Sequence, residues 1–183
     1  LTKSKPKQNK LKTKYIFIFV GRLIQGKGFI EAIDILSKVN ELTNINLKLI
    51  IIGDGEERET IFKKIAETNL EIEFLGSLAH QEVLEHLTNS DILLSTSVIP
   101  ESLPTVVLEA LATGNWVFSL PFSGVEELVE YREFVYASFE ALPNLIVRFL
   151  DVHRFDSDSY SETPNLVKKK FSWENQYSWF LEL

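Results

Sequence analysis

The 183-residue chain carries 26 Asp+Glu against 19 Lys+Arg and contains neither Cys nor Met. A disulfide framework, a thiolate metal site and a thiol nucleophile are therefore excluded, and no apolar run approaches the ~18 residues that a membrane span needs, so neither a signal peptide nor a span is expected. The size and the 45% hydrophobic content suit one compact domain with a tail, and the start Leu1-Thr2-Lys3 reads as that of a piece cut from a longer protein.

Residues 1–14 hold six lysines (Lys3, Lys5, Lys7, Lys10, Lys12, Lys14) and no acid, which leaves the rest at a charge of −13. So acidic a body should repel nucleic acid, and any phosphate ligand must be held by a few local cations and backbone amides. The lysine segment reads as a solvated linker left by truncation or as a contact for an anionic membrane surface.

In chain order, Tyr15 to Val20 is a continuous apolar run of the kind found in strands covered on both faces. Phe29 to Leu42 has helical spacing, Leu47 to Ile52 is a second buried strand, and Glu56 to Asn69 is an amphipathic helix with Ile61, Ile65 and Phe62 inward. Strands at Ile72–Leu75, Asp91–Ser95, Trp116–Leu120 and Phe134–Tyr136 then alternate with helices at Gln81–Thr88, Thr105–Thr113, Gly124–Glu130 and Ser138–Asp151. Residues 154–172 read as polar and irregular, and Phe171 to Leu183 as an aromatic helical tail. The alternation predicts an α/β fold, a doubly wound parallel Rossmann-like sheet over residues 15–153, with 1–14 as linker and 154–183 as a C-terminal extension. Ligands of such sheets bind outside the carboxyl ends of the strands.

Two constellations fall there. Arg22 and Lys27 flank a glycine-containing loop that opens a helix, so both can converge on an anion near free helix-start amides. Gly28 follows Lys27 where a Walker A loop requires Ser or Thr, so this is not one. Glu101 and Glu109 lie eight residues apart, one in a loop and one on the next helix, and a spaced carboxylate pair can grip the vicinal hydroxyls of two sugars. The amides near Thr105 and Val106 could take a phosphate oxygen. Taken alone, Arg22 and Lys27 read equally as ordinary surface charge, and two glutamates at this spacing are more often ordinary surface residues.

Jointly, Gly21-Arg22-Leu23 with Lys27-Gly28, Gly53-Asp54-Gly55, Phe74-Leu75-Gly76, Asp91, Glu101 with Glu109-Ala110, Gly114 and Ser123-Gly124-Val125-Glu126-Glu127 resemble the C-terminal half of the family 4 glycosyltransferases of GT-B fold. Phe171-Ser172-Trp173-Glu174 looks like that family's closing helix, which crosses back toward the N-terminal domain. The resemblance implies the donor-binding half of a retaining, metal-independent enzyme that moves a sugar from a nucleoside-diphosphate sugar to a hydroxyl acceptor in glycan, polysaccharide or glycolipid assembly. Arg22 and Lys27 would hold the diphosphate beside Gly21, Glu101 the donor sugar and Glu109 the ribose. Ser77 and Leu78 would contact the base, and Ser102, Leu103, Thr105 and Val106 would line the sugar and phosphate. No cofactor or metal is implied. The missing partner is an N-terminal acceptor domain, and the location implied is cytoplasmic, with peripheral attachment at the inner face of the membrane.

Ser102 and Ser123 stand where the family more often has glycine, and Trp116 where it has proline. A non-catalytic nucleotide-sugar-binding module and half of a UDP-sugar epimerase are the competing expectations. Asp156-Ser157-Asp158 follows no buried strand and is not read as a metal motif, and His80, His86 and His153 lack ligand spacing.

Overall fold

Strand β1 (Lys14–Val20) is apolar on both of its faces, and the two faces feed different cores. Tyr15, Phe17 and Phe19 join one cluster with Leu47, Leu49 and Ile51, whereas Ile18 joins a second with Ile50 and Ile52. A strand apolar at both parities of its two-residue period has to be covered from both sides. The covering elements follow in chain order in the computed structural model, which describes residues 12–153 and 162–171.

After β1 come α1 (Phe29–Leu42), β2 (Asn46–Ile52), α2 (Arg58–Ala66), β3 (Glu71–Gly76), α3 (His80–Thr88), β4 (Ile92–Ser95) and α4 (Thr105–Thr113). The chain continues through β5 (Trp116–Ser119), a three-residue 3-10 turn (Val125–Glu127), β6 (Phe134–Tyr136), α5 (Leu142–His153) and α6 (Thr163–Lys170). All six strands are parallel, in the order β3-β2-β1-β4-β5-β6. Helices α1, α2 and α5 cover one face and α3, α4 and α6 the other. This is a Rossmann-like doubly wound sheet, and its order reverses between β1 and β4, where the crevice beyond the strand ends opens.

Trp116 opens β5 as a packing residue, its ring 4.6 Å from that of Phe149 and 4.8 Å from that of His153 on α5. At the start of the sheet, Lys14 begins β1 and pairs with Glu71 at 2.9 Å, and Lys12 pairs with Asp91. Both N-terminal lysines among the described residues are thus bound to the globular body.

Four sequence expectations shift. The helix expected at Gly124–Glu130 is only the 3-10 turn: Gly124 sits at φ +85°, and Leu128 is buried while Val129 is 53% exposed. The helix expected from Ser138 begins at Leu142 and runs to His153. Phe62 points outward, edge-on to Phe74 at 5.1 Å with the Arg58 guanidinium over both rings. Part of the segment read as irregular forms α6, started by Pro164 in its first turn and ended by Lys168, Lys169 and Lys170, whose charges oppose the negative end of the helix dipole. Val167 and Thr163 anchor it, and the Thr163 hydroxyl donates to the buried Glu133 carboxylate. Asp156-Ser157-Asp158 and the aromatic tail from Ser172 lie outside the described residues.

Candidate functional site

The cleft at the β1/β4 divide, about 350 Å³, is built from two loops joined backbone to backbone. Gly21 ends β1, and its amide donates to the Ile52 carbonyl at 3.0 Å. The chain then turns through Gly26 to Gly28, the residue preceding α1, at φ +98°. A Cβ at Gly28 would stand 2.1 Å from the Thr96 carbonyl oxygen, so only glycine permits this approach of the β1–α1 loop to the end of β4. The Thr96 hydroxyl, fully buried, donates to the Gly28 carbonyl at 2.6 Å, while the Val98 and Ile99 amides both donate to the Gly26 carbonyl.

Gly53-Asp54-Gly55 supports this arrangement from the β2 side. A Cβ at Gly53 would lie 1.8 Å from the Gly21 carbonyl oxygen, and the Leu23 amide donates to the Asp54 carbonyl at 3.0 Å. That glycine pair serves backbone packing behind the cleft, and neither glycine borders it.

Arg22, Lys27, Glu101 and Glu109, named from three separate stretches of sequence, all line this one cleft, together with Gly21, Thr105 and Val106. Ser77, Leu78, Ser102 and Leu103 do not: Leu78 and Leu103 pack against the second core, and Ser77 and Ser102 face solvent. The Thr105 and Val106 amides belong to the first turn of α4, where a helix supplies no acceptors of its own, and Pro104 before them offers no side-chain cap. Ser102 and Ser123 have no positive φ, so neither serine strains the backbone. The Ser123 amide is already donated to the Glu101 carbonyl at 3.1 Å, which fixes the Glu101 loop and removes that amide from ligand contact.

The electrostatics differ from those of a simple basic pocket. Lys27 Nζ pairs with Glu101 Oε1 at 2.7 Å, both side chains largely shielded at 22% and 15% exposure. Arg22 is exposed and makes no ion pair among the described residues. Glu109 Oε1 lies 3.0 Å from His80 Nε2. His80 borders the cleft as well, a residue that sequence spacing passed over because its partner is 29 positions away. The four charges therefore balance, and an arriving anion meets one open cation and one that it must win from a carboxylate. No cluster of three or more potential metal-binding side chains occurs among the described residues.

Fold and cleft together define a Rossmann-like α/β domain with its charged groups gathered at the topological switch point. The chain belongs to the family described as glycosyl transferases group 1, which it matches over residues 2–154. It is 25% identical over 173 residues to the uncharacterized glycosyltransferase MJ1069 of Methanocaldococcus jannaschii, covering 91% of this chain and 44% of that protein. It is 29% identical over 135 residues to the putative teichuronic acid biosynthesis glycosyltransferase TuaC of Bacillus subtilis, covering 72% and 32%. Among solved structures, Anabaena Alr3699/HepE in complex with UDP superposes with a TM-score of 0.76 at 22% identity, over 93% of this chain and 50% of that one. The chain thus spans about half the length, or less, of each of these three proteins.

Proposed function

We propose that this domain binds the nucleotide-sugar donor of a retaining, metal-independent glycosyltransferase, the acceptor being held by a second domain. The observation that carries the reading is the convergence of Arg22, Lys27, Glu101 and Glu109 on one cleft at the switch point. A relative of the same fold is in complex with UDP, which supports a nucleoside diphosphate as the ligand class.

In this reading Arg22, Lys27 and the Thr105 and Val106 amides take the diphosphate, Glu101 a donor-sugar hydroxyl and Glu109 the ribose. As the bond from the anomeric carbon to the diphosphate oxygen breaks, negative charge grows on the leaving group and positive character on the sugar. Fixed cations and helix-start amides stabilise the former without a metal. The acceptor oxygen bonds to the same carbon, and its proton passes to the departing diphosphate. Ser77 and Leu78 sit beside the cleft rather than in its wall, so base contact is assigned to the open side near α3. With acceptor and donor on separate domains, this domain alone binds donor and transfers little. The assembly acts in the cytoplasm, at the inner face of a membrane when the acceptor is a glycolipid. No helix among the described residues is long and apolar enough to cross a membrane.

Calorimetric titration with UDP-, GDP- and ADP-sugars in the presence of EDTA tests the reading. Binding of one of the three that is lost in the Arg22→Ala/Lys27→Ala double variant is the expected result. Binding that needs a divalent ion, or that survives the double variant unchanged, would sink it.

A further inference from the structure

Glu109 does not enter the cleft alone. Its Oε1 atom lies 3.0 Å from His80 Nε2, and both residues border the cleft. The contact is made by the packing of α3 against α4. Each backbone is held: Glu82 accepts from the Ala79 amide at 2.8 Å, fixing the start of α3, and Val83 and Leu87 bury the next two turns. On α4, Val107, Ala110 and Leu111 are buried around Glu109. The imidazole is 70% exposed and the carboxylate 27%, so the pair stands at the rim, with Arg22, Lys27 and Glu101 as the other charged groups of the cleft.

A glutamate on a helix samples several rotamers, and few of them present both oxygens to one ligand. A neutral imidazole carrying its proton on Nε2 donates to Oε1 and selects among them. One such bond leaves Oε2 open and a further acceptor site on Oε1, which together suit two adjacent hydroxyls. We infer that His80 is a positioning residue for ribose recognition: by donating from Nε2 to Glu109 it holds the carboxylate in the orientation that accepts a vicinal diol. The inference rests on the reading of the cleft as a nucleotide-sugar site, and it extends that site to a second helix.

The test is calorimetry on the chain and its His80→Ala, His80→Gln and Glu109→Ala variants. The probes are whichever of UDP, GDP and ADP binds the unaltered chain and its 2′,3′-dideoxy counterpart. The unaltered chain should prefer the ribose form. His80→Ala should weaken that form by about three- to tenfold, the scale of one lost hydrogen bond, and leave the dideoxy form unchanged. His80→Gln, whose amide keeps an N–H donor, should restore most of the preference. Equal loss of both ligands in His80→Ala, or no loss where Glu109→Ala erases the preference, overturns the inference and leaves the donor-site reading standing. If the chain binds none of the three diphosphates, the donor-site reading fails and the inference with it; if Glu109→Ala keeps the preference, that reading fails in its assignment of Glu109.

Discussion

Lys27 Nζ donates to Glu101 Oε1 at 2.7 Å, so the two side chains proposed for diphosphate and sugar are joined by a hydrogen bond across the cleft. The opposite charges offset each other, and a diphosphate that takes the lysine competes with its carboxylate. For a partly shielded pair that competition is small, below about 1 kcal/mol.

Glu101→Gln should therefore tighten binding of a bare nucleoside diphosphate to this domain by about two- to fivefold, because Lys27 is released and a negative charge leaves the cleft. In the complete enzyme the same change should lower turnover, since the carboxylate proposed for the sugar is lost. Calorimetry and initial rates read the two effects, and weaker diphosphate binding would contradict the first.

Glycines at two loops should respond very differently to alanine. Gly28→Ala places a methyl 2.1 Å from the Thr96 carbonyl at φ +98°, combining a strained backbone with overpacking, and about 2–4 kcal/mol of stability should be lost. Gly76→Ala, at φ +70° with nothing within 4 Å of the new methyl, carries the conformational cost alone, about 1–2 kcal/mol. Urea unfolding of both variants gives the comparison, and equal losses would disprove the close approach at Gly28.

Thr163→Val removes the hydroxyl that reaches the buried Glu133 carboxylate. Losing a bond to a charged, buried acceptor should cost about 1.5–3 kcal/mol. Urea unfolding measures it, and a change within about 0.5 kcal/mol would mean that α6 is held by Val167 and its neighbours alone.

The attachment of α6 should also depend on pH at both extremes. Glu130 is held below its ordinary value chiefly by the hydrogen bond from Lys170, and Lys170 above its own chiefly by the same bond. The glutamate's contribution is present above its unfolded pKa and fades as pH falls through the depressed folded one. The lysine's is complete below its unfolded pKa and fades as pH rises through the raised one. The stability difference between the chain and Glu130→Gln should thus form a plateau between the carboxylate and ammonium ranges, modest because the pair is exposed and flattened by salt. A difference constant from acid to alkaline pH would show that the pair contributes nothing.

The strands were legible because β1, β2 and β4 are buried on both faces and so appear as unbroken apolar runs. Helix α6 was not, because it buries only Thr163 and Val167 and ends in three lysines, too little apolar periodicity to mark a helix. Val125 and Leu128 imitate helical spacing, yet the turn that Val125 opens lasts three residues and ends before Leu128. In the cleft, residue types pointed to Arg22, Lys27, Glu101 and Glu109, but not to who touches whom: Lys27 and Glu101 are 74 positions apart, His80 and Glu109 29. Such contacts depend on how the loops and helices pack, which no local pattern encodes.

The Gly26 carbonyl takes the amides of both Val98 and Ile99, and Gly28 lies flat against Thr96. The loop carrying Lys27 and the loop leading to Glu101 are consequently one mechanical part. Neither can swing toward a ligand by itself, so any movement of one carries the other with it.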